Sequence, residues 1–171
     1  MIRFFSIFIG TLALLFGIEM LAPVQQSVVH PWTGFLANAS AHIMQLFDGS
    51  IISHGRVLQS SVSGFGVSIE AGCNGVEAAI ILMAGMLAFP SSLKLKLVGV
   101  LVGIVAVQGV NLLRIISLFY LGQWSYKAFE FAHLYLWQAL IMLDVLVVWL
   151  LWIRAVSRQT PLSETEVPLA S

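Results

Sequence analysis

The chain has 171 residues and no net formal charge; 59% of its residues are apolar and only 9% are charged. Soluble domains carry about 25% charged residues, so too little charge remains here to cover a surface that faces water. The composition indicates that lipid is the main solvent, and the zero net charge gives no electrostatic basis for binding nucleic acid. The single cysteine, Cys73, excludes an internal disulfide and a multi-cysteine metal site.

Four apolar segments approach the ~20 residues that a helix needs to cross a membrane. We predict one span in each of the ranges 4–22, 75–90, 97–121 and 133–153. The first segment also has the pattern of a secretory signal peptide, because Arg3 precedes an apolar stretch. The bulky Met20 and the following Pro23 make a poor cleavage site at Ala22, which favours an uncleaved span.

The lysines and arginines of the short loops predict the orientation of the spans, because cytoplasmic loops carry more of them. With the N-terminus inside, the cytoplasmic side carries five such residues and the outer side carries two. The inner ones are Arg3, Lys94, Lys96, Arg154 and Arg158, and the outer ones are Arg56 and Lys127. We expect both termini in the cytoplasm, one membrane-embedded domain over 1–153, and a disordered cytoplasmic tail over 154–171.

The outer segment 23–74 begins with a helical pattern. Pro31 suits a helix start and Gly49 suits a helix end, and apolar residues recur between them at helical spacing. These residues are Trp32, Phe35, Leu36, Ala39, Ile43, Leu46 and Phe47. The pattern predicts an amphipathic helix that either lies on the outer membrane surface or packs on the bundle.

A short β-hairpin is predicted directly before the cysteine. Residues 65–71 alternate with a period of two, residues 57–62 precede them, and Ser63-Gly64 suits the turn between the strands. The predicted fold is therefore an all-α polytopic membrane protein. It has four transmembrane helices, an extracytoplasmic amphipathic helix and a short hairpin.

Three reactive side chains are predicted to reach one membrane depth. Cys73 precedes the second span at its outer end, and His133 begins the fourth span there. Arg114 lies about 27 Å beyond Lys96 along the third helix, which is close to the ~30 Å thickness of the hydrocarbon core. We therefore expect three separate segments to place a thiol, a guanidinium and an imidazole at the outer boundary of the membrane.

These three groups suit acyl transfer. The thiolate of Cys73 is a strong nucleophile, and a helix N-terminus lowers thiol pKa. Arg114 supplies a permanent positive charge for a thiolate or oxyanion, and His133 can take up and return a proton. Singly, a membrane cysteine is usually a packing residue, an arginine near an interface often simply snorkels, and a histidine at the end of a span is commonly interfacial. Their coincidence, and the cost of charge within a membrane, favour a functional site.

Further polar residues accompany the three groups. Glu77 lies one turn below Cys73, and we expect it to pair with Arg114, to orient His133 or to form a purely structural pair. Asn111 lies one turn below Arg114 and is a second supporting residue.

The remaining polar residues are assigned structural or surface positions. Asp144 is expected to be protonated or bonded to Gln108, and Glu19 is expected to be interfacial. The outer histidines do not match a metal-ligand spacing, and no nucleotide, metal or haem motif is present, so no cofactor is expected. These histidines are His30, His42 and His54.

Three short motifs, in this order, resemble those of the exosortase/archaeosortase family and most closely exosortase H. They are Ala71-Gly72-Cys73-Asn74-Gly75, Asn111-Leu112-Leu113-Arg114-Ile115 and Ala132-His133. The resemblance covers about residues 57–145 and implies an integral membrane cysteine transpeptidase or protease. It implies Cys73 as the nucleophile, Arg114 as its charge partner and His133 as the acid/base, with Asn74 as a supporting neighbour.

The same resemblance implies a location in the bacterial inner membrane, with the active site on the periplasmic side. It also implies substrates that are secreted proteins with a C-terminal sorting tail. Such a tail has a recognition motif, a transmembrane helix and a basic cluster, and for the H type the motif begins Ile-Pro-Thr-Leu. The chain departs from the pattern in two ways, because many members have serine at the position of Asn74 and larger members have more spans.

Two other classes of function fit the residue pattern. In a non-enzymatic membrane assembly or transporter subunit, Cys73 would be a packing residue. In a membrane thiol acyltransferase, Cys73 would carry a fatty acyl chain. The sequence leaves both alternatives open.

Overall fold

The computed structural model describes residues 1–159, and most of these residues are helical. The α helices are α1 (Ile2–Glu19), α2 (Ala22–Val24), α3 (His30–Gln45), α4 (Val76–Ala88), α5 (Leu93–Trp124), α6 (Tyr126–Phe131) and α7 (Trp137–Gln159). A π-helical turn, Gln25–Val29, joins α2 to α3, and a second one, Ala132–Leu136, joins α6 to α7. The strands are β1 (Ile51–His54), β2 (Val57–Ser60) and β3 (Gly66–Ser68).

Three helical segments within residues 1–159 are long and apolar enough to cross a membrane. They are Ile2–Glu19, Leu93–Trp124 and Tyr126–Arg158. The prediction of a polytopic helical membrane protein is thus confirmed. These segments correspond to the first, third and fourth predicted spans.

The second predicted span, 75–90, is not confirmed. Its helix, α4, has 13 residues and is about 20 Å long, which is short of the ~30 Å hydrocarbon core. Gly75 stands before the helix with a φ of 71°, and Phe89 behind it is extended because Pro90 disfavours helical backbone at the preceding residue. The apolar run at this position therefore holds a shorter helix than its composition predicts.

The predicted tail begins too early. Helix α7 continues to Gln159, because residues 154–159 contain neither glycine nor proline to end it. The remainder of the predicted tail, 160–171, lies outside the described residues.

Helices α1, α4, α5 and α7 form a bundle, with α1 packed mainly on α4. The core lies between α4, α5 and α7. Its buried members include Leu82, Met86, Val107, Ile141, Val145 and Trp152. The helices approach closely where Gly99 faces Trp152, since a Cβ at Gly99 would lie 2.1 Å from the indole nitrogen. The same indole N–H donates to the Leu95 carbonyl at 3.0 Å.

Helix α3 and the three-stranded sheet form a cap over the C-terminal end of α5. The core of the cap is separate from that of the bundle and includes Leu36, Met44, Ile51, Leu58, Ile69 and Phe119. Of the two alternatives for the amphipathic helix, the structure shows the packed one, because Leu36 and Met44 are buried against the sheet and α5. Phe35 and Ile43 remain exposed on another face of α3.

The sheet has the order β1-β2-β3 with antiparallel pairing. Strands β2 and β3 form the predicted hairpin, with Leu58 opposite Val67, and Gly64 adopts a φ of 71° in the turn between them. Strand β1 was not predicted from the sequence; it pairs with β2 across a second turn at Gly55 (φ 57°). The hairpin is thus part of a slightly larger sheet that leads into the cysteine.

Candidate active site

Cys73 is half-buried on a tight turn that follows β3. The Cys73 N–H donates to the Glu70 carbonyl at 2.9 Å, which closes the turn. Gly72 is the third of the four residues of this turn and has a φ of 81°, a conformation that glycine adopts without the strain a Cβ would add. The turn reverses the chain and presents the thiol beside the end of β3.

Side chains from α4 and α5 hold both sides of this turn. Glu77 accepts a hydrogen bond from the Gly72 N–H at 2.7 Å, and Arg114 Nη1 donates to the Gly72 carbonyl at 2.9 Å. Asn111 Nδ2 donates to the Cys73 carbonyl at 3.2 Å. The backbone around the sulfur is therefore fixed from two helices.

Glu77 does not have either of the partners that the sequence suggested. Its hydrogen-bond partner is the Gly72 N–H rather than the Arg114 guanidinium or the His133 imidazole. The reason is that Glu77 occupies the first turn of α4, directly behind the loop from which that N–H projects.

Asn74 and Gly75 connect the turn to α4. Asn74 is buried, and its Oδ1 accepts from the Val76 N–H at 3.0 Å, which forms an Asx turn that leads into the helix. Trp32 of α3 donates its indole N–H to the Asn74 carbonyl at 3.3 Å. Gly75 has no room for a side chain, because a Cβ there would lie 2.8 Å from the Gln108 amide. No sequence pattern indicated the Trp32 contact, which joins residues far apart in the chain.

His133 faces Cys73 from the π-helical turn between α6 and α7. Its Nδ1 lies 3.6 Å from the Cys73 Sγ, a hydrogen-bonding distance for sulfur. The ring of Phe129 stacks on the imidazole with centroids 5.5 Å apart and planes within 3°. Phe129 was not among the predicted residues, although its spacing of four from His133 on a helix is typical of stacked pairs. Widened helical turns often occur at functional positions.

The electrostatics of the thiol differ from expectation. Burial raises the pKa of Cys73, and this exceeds the lowering by the Arg114 charge; Glu77 and Glu70 raise the pKa further. The expected lowering at a helix N-terminus does not dominate, because the half-buried sulfur loses more from dehydration than it gains. At neutral pH the resting group is therefore a thiol that needs a base.

Arg114 is almost completely buried, with 3% of its surface exposed. One guanidinium nitrogen bonds to Gly72, while Nε is buried without a hydrogen-bond partner among the described residues. The guanidinium thus combines a structural bond to the turn with a positive charge that acts on Cys73.

A cavity of about 160 Å³ opens beside the sulfur. One wall consists of β3 and the following turn, and the other consists of α5, α6 and the π-helical turn. The lining residues are Val67, Ser68, Ile69, Glu70, Ala71, Cys73, Ile115, Leu118, Phe129 and His133. The arrangement can receive a small acyl group with a nucleophile and a base at its surface.

The other predicted polar residues lie away from this cavity. Asp144 and Gln108 each have a buried oxygen without a hydrogen-bond partner in residues 1–159, so the expected bond between them is not formed. Glu19, the last residue of α1, accepts a hydrogen bond of 2.6 Å from Gln25 Nε2. The structure thus brings Cys73 and His133 together with the guanidinium of Arg114.

The chain matches the family described as transmembrane exosortase (Exosortase_EpsH) over residues 2–152. Because this match spans most of the chain, the protein belongs to the transmembrane exosortase family. The resemblance inferred from the three motifs is thereby confirmed. No curated protein and no solved structure matches the chain.

Proposed function

We propose that this exosortase-family protein is a membrane cysteine protease or transpeptidase that cleaves a C-terminal sorting signal of secreted proteins. The observation that carries the proposal is the contact of 3.6 Å between Cys73 Sγ and His133 Nδ1, which joins residues 60 positions apart. A nucleophile within reach of a base, both beside a cavity, is the arrangement that acyl transfer requires.

In the first step His133 takes the thiol proton while the Cys73 sulfur attacks a peptide carbonyl carbon. The raised pKa of Cys73 makes this base necessary. The positive charge of Arg114 stabilises the thiolate and the negative oxygen of the tetrahedral intermediate. Because Arg114 also bonds to Gly72, its charge is held in place before the substrate arrives.

In the second step the carbon–nitrogen bond breaks and His133 gives its proton to the leaving amine. The acyl fragment remains as a thioester on Cys73. Water or an amine then attacks the thioester, and Cys73 leaves as the thiol after it regains a proton. Water gives hydrolysis, whereas an amine gives transfer to an acceptor.

The substrate class and the location follow from the family and from the charge pattern. We propose a C-terminal tail with a recognition motif, a transmembrane helix and a basic cluster. The excess of Lys and Arg in the loops on the side opposite the cap supports an active site on the periplasmic side of the bacterial inner membrane. The substrate's helix would hold its cleavage site at the depth of Cys73.

The proposal is tested by replacing Cys73 with alanine and with serine in the native host. Immunoblots of a secreted protein with an Ile-Pro-Thr-Leu type tail would show loss of processing in both variants at wild-type enzyme abundance. Serine preserves the size of the side chain but lacks the thiolate chemistry, so it serves as the matched control for packing.

The outcomes also separate the rival functions. Unchanged processing with Cys73→Ala would sink the proposal in favour of a non-enzymatic subunit. Mass spectrometry of the wild-type protein, trapped at low pH, should show a peptidyl adduct on Cys73. A fatty acyl adduct there would identify a thiol acyltransferase instead.

A further inference from the structure

We propose that the free edge of β3 binds the extended backbone of the substrate as a fourth strand and guides its scissile carbonyl to Cys73. This inference rests on the proposed function and adds the mode of substrate recognition. It concerns residues Gly66–Ser68, which end five residues before the nucleophile.

The hydrogen bonds of the hairpin identify the groups on the free edge. Phe65 accepts from Ser60 at 2.9 Å, and Ile69 donates to Arg56 at 3.0 Å, so the backbones of these two residues face β2. In antiparallel pairing such residues alternate with residues whose N–H and C=O groups face away. The backbone groups of Gly66 and Ser68 therefore point to the side of β3 that pairs with no strand within residues 1–159.

The cavity beside Cys73 runs along the same strand. Its lining includes Val67, Ser68 and Ile69 on one side and Phe129 and His133 on the other. A strand added at the usual spacing of about 4.8 Å from β3 would occupy the space between these walls. The imidazole would then face the added strand from the side opposite β3.

The turn after β3 sets the end of the pairing. The Glu70 carbonyl is already bonded to the Cys73 N–H, so the ladder available to a peptide stops near Ser68. From there the chain reverses, and the sulfur is the next reactive group that an extended peptide meets. Strand addition gives affinity through main-chain bonds and leaves specificity to the side chains.

Nothing on β3 blocks such pairing. Sheet edges are commonly protected by proline, lysine or a bulge, and Gly66–Ser68 contains no proline or lysine. The Ser68 hydroxyl donates to the Glu70 carboxylate at 2.8 Å, and Glu70 pairs with Arg56 at 3.0 Å. These exposed side chains are therefore engaged with one another and leave the backbone edge open.

The test compares Ser68→Pro with Ser68→Ala in the full chain in detergent micelles. Both variants lose the hydroxyl, but only proline loses the outward N–H, and it does so without breaking the β2–β3 ladder. The probes are an acetyl-tetrapeptide chloromethyl ketone and iodoacetamide, with alkylation of Cys73 followed by intact mass.

We expect Ser68→Pro to slow the peptide ketone about tenfold, the effect of roughly one backbone hydrogen bond, while its reaction with iodoacetamide is unchanged. Ser68→Ala keeps the outward N–H, so it should react with the peptide ketone about tenfold faster than Ser68→Pro does. Equal peptide-ketone rates in the two variants, with iodoacetamide unchanged, would overturn strand addition.

A changed iodoacetamide rate would reveal that Ser68→Pro disturbs folding. In that case a second measurement, which needs no variant, tests strand addition. Peptide ketones N-methylated at one of two neighbouring amides are compared on the wild-type protein. Pairing requires that one methylation slows the reaction and the other does not, because alternate amides face the edge. Equal effects of the two methylations would contradict it.

The failure of this inference is distinguishable from that of the proposed function. Host processing that persists with Cys73→Ala would remove the proposed function. Processing that depends on Cys73, combined with peptide labelling that is indifferent to Ser68→Pro and to N-methylation, would remove strand addition alone.

Discussion

The cap and the bundle bury their surfaces in different ways. The cap packs large apolar side chains such as Leu36, Ile51 and Leu58 around one core, as the hydrophobic effect favours for a unit outside the candidate spans. The bundle has an apolar core as well, but its helices also place glycines against tryptophans, with Gly99 against Trp152 and a second such pair on α4. Between helices in lipid, small residues permit the close contacts that take the place of a hydrophobic driving force.

Helix α5 takes part in both kinds of packing. Its first half presents Gly99 and Gly103 to the bundle, and its last turns present Ile115 and Phe119 to the cap. Arg114 lies where the packing changes, and it bonds to the turn that follows the cap. The candidate active site therefore lies at the junction of two differently built units, with α5 as the shared element.

The largest effect is expected from Arg114→Gln, which breaks the link between the two units. Processing should fall about a hundredfold or more, the usual cost of losing a group that stabilises the oxyanion. The Arg114 charge lowers the pKa of Cys73, so its removal raises that pKa and shrinks the thiolate fraction at neutral pH. The pH profile of alkylation by iodoacetamide should therefore move to higher pH.

The matched control is Arg114→Lys, which keeps the charge but lacks the planar fork. In Arg114→Lys the pH profile of alkylation should be close to that of the wild type, because the positive charge remains. Processing should recover less, because the lysine ammonium cannot hold the Gly72 carbonyl with the fixed geometry of the guanidinium. A pH profile that stays unchanged in Arg114→Gln would show that the guanidinium does not act on the sulfur.

The sequence was informative where local periodicity and helix rise decide the outcome. The common depth of Cys73, Arg114 and His133 was predicted from the positions of the spans and from helix rise, and the β2–β3 hairpin was predicted from alternation and the Ser63-Gly64 turn. Sequence spacing did not show that Arg114 bonds to the Gly72 carbonyl or that Glu77 accepts from the same peptide group. Those contacts depend on how the turn is oriented between two helices.

Other differences have equally local causes. Strand β1 has the sequence Ile-Ile-Ser-His, which lacks the period-two alternation that indicated β3 and does not adjoin the Ser63-Gly64 turn that indicated β2. Helix α4 was predicted as a span because composition measures apolarity rather than helix length, and Phe89 leaves the helix before Pro90. The net rise in the Cys73 pKa depends on burial, which the sequence does not state.

An intermediate effect is expected from glycine substitutions on α5. They test the two units one at a time, because one glycine faces the bundle and another faces the cap. A Cβ at Gly99 would lie 2.1 Å from Trp152 in the bundle, and one at Gly122 would lie 2.3 Å from Phe65 in the cap. Each alanine variant should lose about 1–3 kcal/mol of stability through overpacking, measured by thermal unfolding in detergent. Gly122→Ala should also alter the alkylation of Cys73, because Phe65 precedes β3, whereas Gly99→Ala should not.

Gly109→Ala is the control on the same helix, because a Cβ there meets nothing within 4 Å. It should be neutral or stabilise the protein by up to about 1 kcal/mol. If Gly99→Ala altered the alkylation of Cys73 as strongly as Gly122→Ala, the reactivity of Cys73 would depend on the packing of the bundle as much as on that of the cap, which would contradict the prediction.

The smallest effect is expected from Glu77→Gln. This substitution removes the negative charge of Glu77 but keeps a side-chain oxygen that can bond to the turn after β3. The Glu77 charge raises the pKa of Cys73, so its removal lowers that pKa and increases the thiolate fraction at neutral pH. Alkylation by iodoacetamide should then be a few times faster, because the thiolate is the form that reacts. Processing should stay near the wild-type level, since the glutamine oxygen can still accept from the Gly72 N–H.

Glu77→Leu provides the contrast, because it removes the same charge and the acceptor as well. It should also accelerate alkylation at neutral pH, but it should slow processing, since the Gly72 N–H loses the bond of 2.7 Å that fixes the turn. Equal processing by the two variants would mean that Arg114 and Asn111 hold the turn without help from α4. Slower alkylation in Glu77→Gln would contradict the proposed electrostatic role, because it would require the carboxylate to favour the thiolate.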